Sequence, residues 1–155
     1  MSRTAIFFFL TLCTVMAACD ATGIYNETRE IEGETWAFES PVNFKADVQD
    51  TVNLHDVVVN LRTGKTYNYS NLWLFVDFTY PGGNAFTDTI ECPLAYPDGR
   101  WVGSSGPGYI NTSVIIKKDM IFPESGNYNI NIRHGMRDDS LHEIKTVGLR
   151  IQRAV

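Results

Sequence analysis

Long apolar runs are scarce in this chain. The longest, Ala5 to Val15, is about eleven residues. A spanning helix needs roughly 20. Positive charge is also short, with 13 Lys and Arg against 18 Asp and Glu. That balance argues against nucleic acid and against a polybasic membrane contact. Usable cysteine pairs are absent. Of Cys13, Cys19 and Cys92, the first two fall in or at the end of a leader, so no disulfide is expected. Cys92 stands alone in an alternating pattern, where a thiol is most often a small buried apolar group. No helical periodicity is convincing. No H-E-x-x-H spacing, nucleophile elbow or His–Ser–Asp order is present. The carboxylates show no pairing suited to glycoside hydrolysis. These gaps predict no catalytic residue, no metal ion and no cofactor. A hydrophobic fraction of 44% with 12% aromatics excludes a disordered chain.

What the N-terminus does have is a secretory layout. Arg3 supplies the charge, Ala5 to Val15 the apolar segment, and Met16-Ala17-Ala18 a small-residue exit before Cys19. Val15 to Cys19 resembles a bacterial lipoprotein box, with Met16 where leucine is usual. In such a box the cysteine thiol takes a diacylglycerol, the preceding bond is cut, and the new amine is acylated. Cys19 is therefore the expected lipid attachment. Two or three chains there hold a protein on a membrane without a spanning helix. The division expected is a removed leader over residues 1–18, an anchored linker over 19–30, and one domain over 31–155.

Downstream, apolar residues recur every second position. Glu34 to Glu39 alternates through Trp36 and Phe38. Phe44, Ala46 and Val48 mark a short strand, and Tyr25 to Arg29 a first one. Val57, Val59 and Leu61 share a face over 54–62, with His55 in phase. Tyr67 and Tyr69 are expected to begin a return strand. Asn71 to Tyr80 is the clearest strand. It has Leu72, Leu74, Val76 and Phe78 on one face, and Trp73 and Phe75 on the other. Pro81 to Asn84 makes a hairpin turn to a strand over 85–94. Residues 96–109 hold repeated Gly, Pro and Ser and read as a long loop or a ragged edge strand. Strands follow over 110–122, 128–134 and 146–153, with 137–144 expected to form a turn or a helical turn. About eight short strands without a helix favour an all-β, antiparallel β-sandwich. It is expected to be jelly-roll-like or immunoglobulin-like, with a closed barrel as the runner-up.

Several short motifs carry a family resemblance. They are Asp98-Gly99-Arg100-Trp101-Val102-Gly103, Phe122-Pro123, Gly126 and Tyr128, Met136-Arg137, Leu141, and Val147 to Ile151. With the lipoprotein box, they resemble the gliding-motility lipoprotein family, GldH, of the Bacteroidota. His134 departs from it, since members tend to carry glutamine before the Met-Arg pair. The resemblance implies a cell-envelope lipoprotein at the cell membrane or outer membrane. It implies a part in gliding motility or a related envelope machinery, and it carries over no catalytic residue. The partners expected are the membrane, through the N-terminal lipid, and one or more envelope proteins.

Three residues are candidate contacts. Trp101 and Tyr109 sit in the Gly-rich stretch, where an aromatic either stacks on a sugar or partner or folds back on the core. A carbohydrate-binding lipoprotein is thus the alternative function. Arg137, between Met136 and two Asp residues, reads as an internal salt-bridge organiser or a ligand contact. His134, Asp138, Asp139 and His142 lie close in sequence but read as a polar loop rather than a metal site.

Overall fold

The computed structural model describes residues 23–155; Cys19 and the leader lie outside them. Eleven strands run in chain order. They are β1 Gly23–Glu30, β2 Thr35–Ala37, β3 Val42–Val48, β4 His55–Gly64, β5 Asn71–Thr79, β6 Ala85–Pro93, β7 Ser104–Gly106, β8 Tyr109–Met120, β9 Gly126–His134, β10 Ser140–His142 and β11 Ile144–Arg153. One sheet has the order β1-β11-β4-β8-β7 and the other β3-β9-β5-β6. Every pairing is antiparallel. Within the two large sheets, β5–β6 and the short β7–β8 pair are neighbours joined by hairpins. The remaining long strands are joined by crossings from one sheet to the other. This is a jelly roll, the first of the two topologies left open by the alternation.

The strands form because alternate side chains have a core to enter. In β3, Val42, Phe44, Ala46 and Val48 are buried while Asn43, Lys45 and Asp47 are exposed. Each fully buried Phe or Val contributes about 1.5–3 kcal/mol. Leu72, Leu74, Val76 and Phe78 of β5 face β4 and β11, whose Val57, Val59, Val147, Leu149 and Ile151 are also fully buried. Cys92 is buried with them, and burial pushes its thiol up to about 12.

Several local readings change. Tyr67 and Tyr69 form no strand. Tyr67 is buried in the β4–β5 connection and its hydroxyl donates to the Asn71 carbonyl at 3.2 Å. Residues 140–142 are extended rather than helical, because Leu141 is buried opposite Trp36 on β2. Within the segment 19–30, residues 23–30 are strand β1, paired along β11. The stretch 96–109 contributes the edge strand β7 and a bridge between Ala95 and Trp101.

Most motif residues behind the family resemblance are consumed by the fold. Phe122, Tyr128, Val147, Leu149 and Ile151 are core. Asp98 closes a turn, accepting from the Arg100 backbone N–H at 3.1 Å and its Nε at 2.7 Å. At Gly103 an added Cβ would lie 2.1 Å from the Asn111 carbonyl oxygen. That carbonyl belongs to a paired strand and cannot retreat, so any side chain at 103 would separate β7 from β8.

The sandwich has two unlike ends. One holds Gly23, the β3–β4, β5–β6 and β8–β9 turns, and the end of β11. The other holds the long connections 31–41, 65–70, 94–108 and 135–143. β4 runs ten residues between them, about 33 Å at roughly 3.3 Å per residue. An aromatic chain closes the first end: His55–Phe122 at 5.6 Å, Phe122–Tyr128 at 4.9 Å and Tyr80–Tyr128 at 5.3 Å. Trp36, His134 and Phe38 close the second.

Candidate functional site

At the long-loop end, the start of β5 and the segment after β9 enclose a cleft of about 460 Å³. Tyr69, Asn71 and Trp73 line one side, and Gly135, Met136, Arg137 and Asp138 the other. The strand pattern puts Trp73 on the outer face of the sheet, where it is 37% exposed. The Gly135 N–H donates to the Trp73 carbonyl at 2.6 Å. The Trp73 N–H reaches the Met136 Sδ at 3.4 Å. These contacts fix the loop against the strand. The Tyr69 hydroxyl donates to the Asp138 carboxylate, and that bond raises the Tyr69 pKa above its ordinary value.

An aromatic and cationic strip continues from the cleft along the outer face. Phe75 pairs across the strands with Arg133. The Arg133 guanidinium lies 5.8 Å from the Phe38 ring and 5.9 Å from the Phe75 ring. It also bonds Asp77 at 3.2 Å. Exposed aromatics beside cations are the side chains that most often anchor interfaces.

Arg137 corrects one expectation. It is exposed and makes no ion pair among the described residues. It organises no internal network, because Asp138 is turned to Tyr69 and Asp139 points to solvent. Tyr109 lies elsewhere, in a cleft of about 650 Å³ with Pro107, Gly108 and Lys145. There the Arg62 guanidinium sits 4.5 Å from its ring and donates to Asn111 at 2.9 Å. Lys145 is paired with Glu34 at 2.5 Å. Arg62 and Lys145 beside Tyr109 are thus engaged within the fold. Trp101 is half-buried against the core and lines neither cleft. The three candidates do not converge. Trp73 and Tyr69 were not singled out as site residues, although the alternation already turned Trp73 away from the core face.

The polar loop does not assemble ligands. His134 is buried with its ring 5.5 Å from Trp36 and 5.8 Å from Phe38. The His142 Nδ1 meets the Thr35 hydroxyl at 3.0 Å. Among the described residues no group of three or more His, Cys, Asp or Glu is placed to hold a metal ion.

The family model described as GldH lipoprotein matches residues 23–151. The chain belongs to the GldH lipoprotein family. A gliding motility lipoprotein GldH homolog from Christiangramia forsetii is 30% identical, over 99% of this chain and 98% of that one. The gliding motility lipoprotein GldH of Flavobacterium johnsoniae is 29% identical, over 92% of each. A solved structure of the infectious bursal disease virus Gx strain aligns at 14% identity and a TM-score of 0.32. It covers 84% of this chain and 29% of that one, and at that score it carries no argument. As a GldH lipoprotein, the protein is a membrane-anchored envelope protein. Among the described residues no helix is long and apolar enough to cross a membrane.

The buried His134 has a pH consequence. Burial lowers its pKa below the ordinary 6.5, outweighing the nearby Asp138 carboxylate, which raises it. The unfolded chain therefore takes up this proton first as pH falls. Stability from this group is full above about 6.5 and is lost below it, by at most about 1.4 kcal/mol per pH unit. His134→Gln is expected to remove that slope. Urea unfolding of both proteins at pH 7.5 and 5.5 measures it. Equal losses in the two would contradict the assignment.

Proposed function

We propose that this GldH lipoprotein is a non-catalytic accessory subunit of the gliding-motility machinery or a related envelope machine. Lipid on Cys19 holds it at the membrane, and the Tyr69–Trp73–Met136–Arg137 cleft receives a protein partner. One observation carries this reading. The exposed Trp73 and the unpaired Arg137 share a cleft at the end about 30 Å from Gly23, the first described residue after the anchor. The relatives' names as gliding motility lipoproteins support the setting. The long loops gathered at the same end support the place, since binding residues concentrate on loops held by a rigid frame.

A truncated tryptophan or reversed arginine at the centre of an interface costs about 2 kcal/mol or more, roughly 30-fold in affinity. Isolation of the tethered protein from membranes should recover a discrete partner in fixed ratio. Arg137→Glu should remove it without moving the melting temperature, and Trp73→Ala should remove it while lowering the melting temperature by only a few degrees. Unchanged recovery with both variants would defeat the reading. Binding to a glycan array that Trp73→Ala abolishes, with partner recovery intact, would favour the carbohydrate alternative.

A further inference from the structure

The short-turn end carries a feature that the partner cleft does not explain. Val52 is 81% exposed, Leu54 46% and Ile121 51%. The register places all three beside the anchor. Gly23 pairs with Gln152, Gln152 with Asp56, and His55 with Met120. The Ala154 N–H donates to the Leu54 carbonyl at 2.9 Å. Ile121 follows directly on Met120. Only Asp20, Ala21 and Thr22 separate Cys19 from Gly23. Four extended residue steps reach at most about 14 Å. A lipid on Cys19 therefore keeps this end, and no other, at the bilayer surface.

The apolar tip is also held in place. The Asp50 carboxylate accepts from the Val52 N–H at 3.1 Å, the Asn53 N–H at 3.0 Å and the Asn53 Nδ2 at 2.8 Å. Arg153 donates at 3.1 Å to Oδ2, the oxygen that also accepts from the Asn53 Nδ2. These donors hold Asp50 well below the usual carboxylate range. Val52 thus stands at the tip of a braced turn. A β-branched side chain gains nothing by projecting into water from such a turn, but it gains burial by entering a lipid interface. Arg153 is spent on Asp50, and Lys118 lies beside Asp119, so the local charge does not demand an anionic lipid.

We propose that Val52, Leu54 and Ile121 seat this end of the sandwich in the bilayer interface, holding the long-loop end away from the membrane. The proposal rests on Cys19 being lipidated, and its test separates the two. Full-length protein carrying Val52→Cys is purified from cells in lipidated form and labelled there with an environment-sensitive fluorophore. Cys92 is buried and stays unlabelled. A Glu32→Cys protein, labelled at the other end, is the comparison. Both are reconstituted with phosphatidylcholine vesicles with and without nitroxide-bearing lipid. Flotation reports the anchor. The label at 52 should shift to the blue and lose at least half its emission to the nitroxide, while the label at 32 changes by less than a tenth. Proteins that float with both labels equally wet would overturn the seating and leave the anchor standing. A blue-shifted label at 52 that the nitroxide leaves untouched would mean that protein covers the tip, and would also overturn it. Failure to float would remove the anchor and this proposal together.

Discussion

Cys19→Ser should move the protein out of the membrane fraction, or leave its leader uncut, while the fold melts at an unchanged temperature. The physical reason is additive. Each buried CH₂ contributes about 0.8 kcal/mol, and stable anchoring takes two chains or more. Serine takes none. The three exposed apolar residues at the tip bury far too little area to hold a domain alone. The fold should not notice, because β1 begins at Gly23 and the core begins beyond it. Fractionation of cells, with a melting curve of the released domain, measures both parts. A processed variant that still sediments with membranes would show that something other than lipid on Cys19 retains it.

Trp36→Ala should be among the most damaging single truncations in the described domain, costing about 3–5 kcal/mol. Trp36 is only 1% exposed although β2 is three residues long. Its Nε1–H donates to the Ser40 carbonyl at 2.9 Å, its ring meets the edge of His134 at 5.5 Å, and Leu141 on β10 is its partner across the strands. Truncation empties the closure of the long-loop end. Domains of this kind hold only about 5–15 kcal/mol in total. At roughly 3–5 °C per kcal/mol, the melting temperature should fall by about 9–25 °C. The 135–139 segment that presents Arg137 should lose its order as well, because β10 and Leu141 tie it down. Trp36→Phe keeps most of the volume and should cost less than half as much. A loss under 1 kcal/mol for the alanine variant would mean that this end is not closed by Trp36.

Much of this was legible in the residues, and the reason is geometric. Alternation needs only the chain itself, so the faces of β3, β5 and β6 could be read directly. Phe44, Leu74 and Ile90 turn inward as their positions require. The order of strands in the sheets was not legible, because period-two patterning says which face is buried and not which strand lies beside it. That order turned two open topologies into a jelly roll. It also put Gly23 and Arg137 at opposite ends. The short strand β10 escaped for a different reason. Three residues are too few for a pattern, and Leu141 needed Trp36, more than a hundred positions away, to become extended. A β-bulge where Val57 and Val58 meet Lys117 and Ile115 shifts the phase of β8. The alternation after Ile116 therefore no longer marks the same face.

The candidate site shows the same division. Trp73 was visibly on the outer face, but its value depends on the loop after β9 folding beside it. Arg137 looked like an internal ion-pair partner because two aspartates follow it. Once Asp138 turns to Tyr69, the guanidinium is left exposed and without an ion pair among the described residues. Tyr109 looked equally available in sequence and is instead committed to Arg62.

The end opposite the anchor is expected to meet a protein in the envelope. The most direct measurement is photocrosslinking in living cells, with benzoylphenylalanine, which keeps an aromatic ring, in place of Trp73 and, as comparison, in place of Lys45 on the outer face of β3. One discrete crosslinked species is expected from position 73, absent from position 45, and lost when Arg137→Glu is added. Crosslinks of equal yield and identity from both positions, or none from position 73 in membrane-anchored protein, would contradict it.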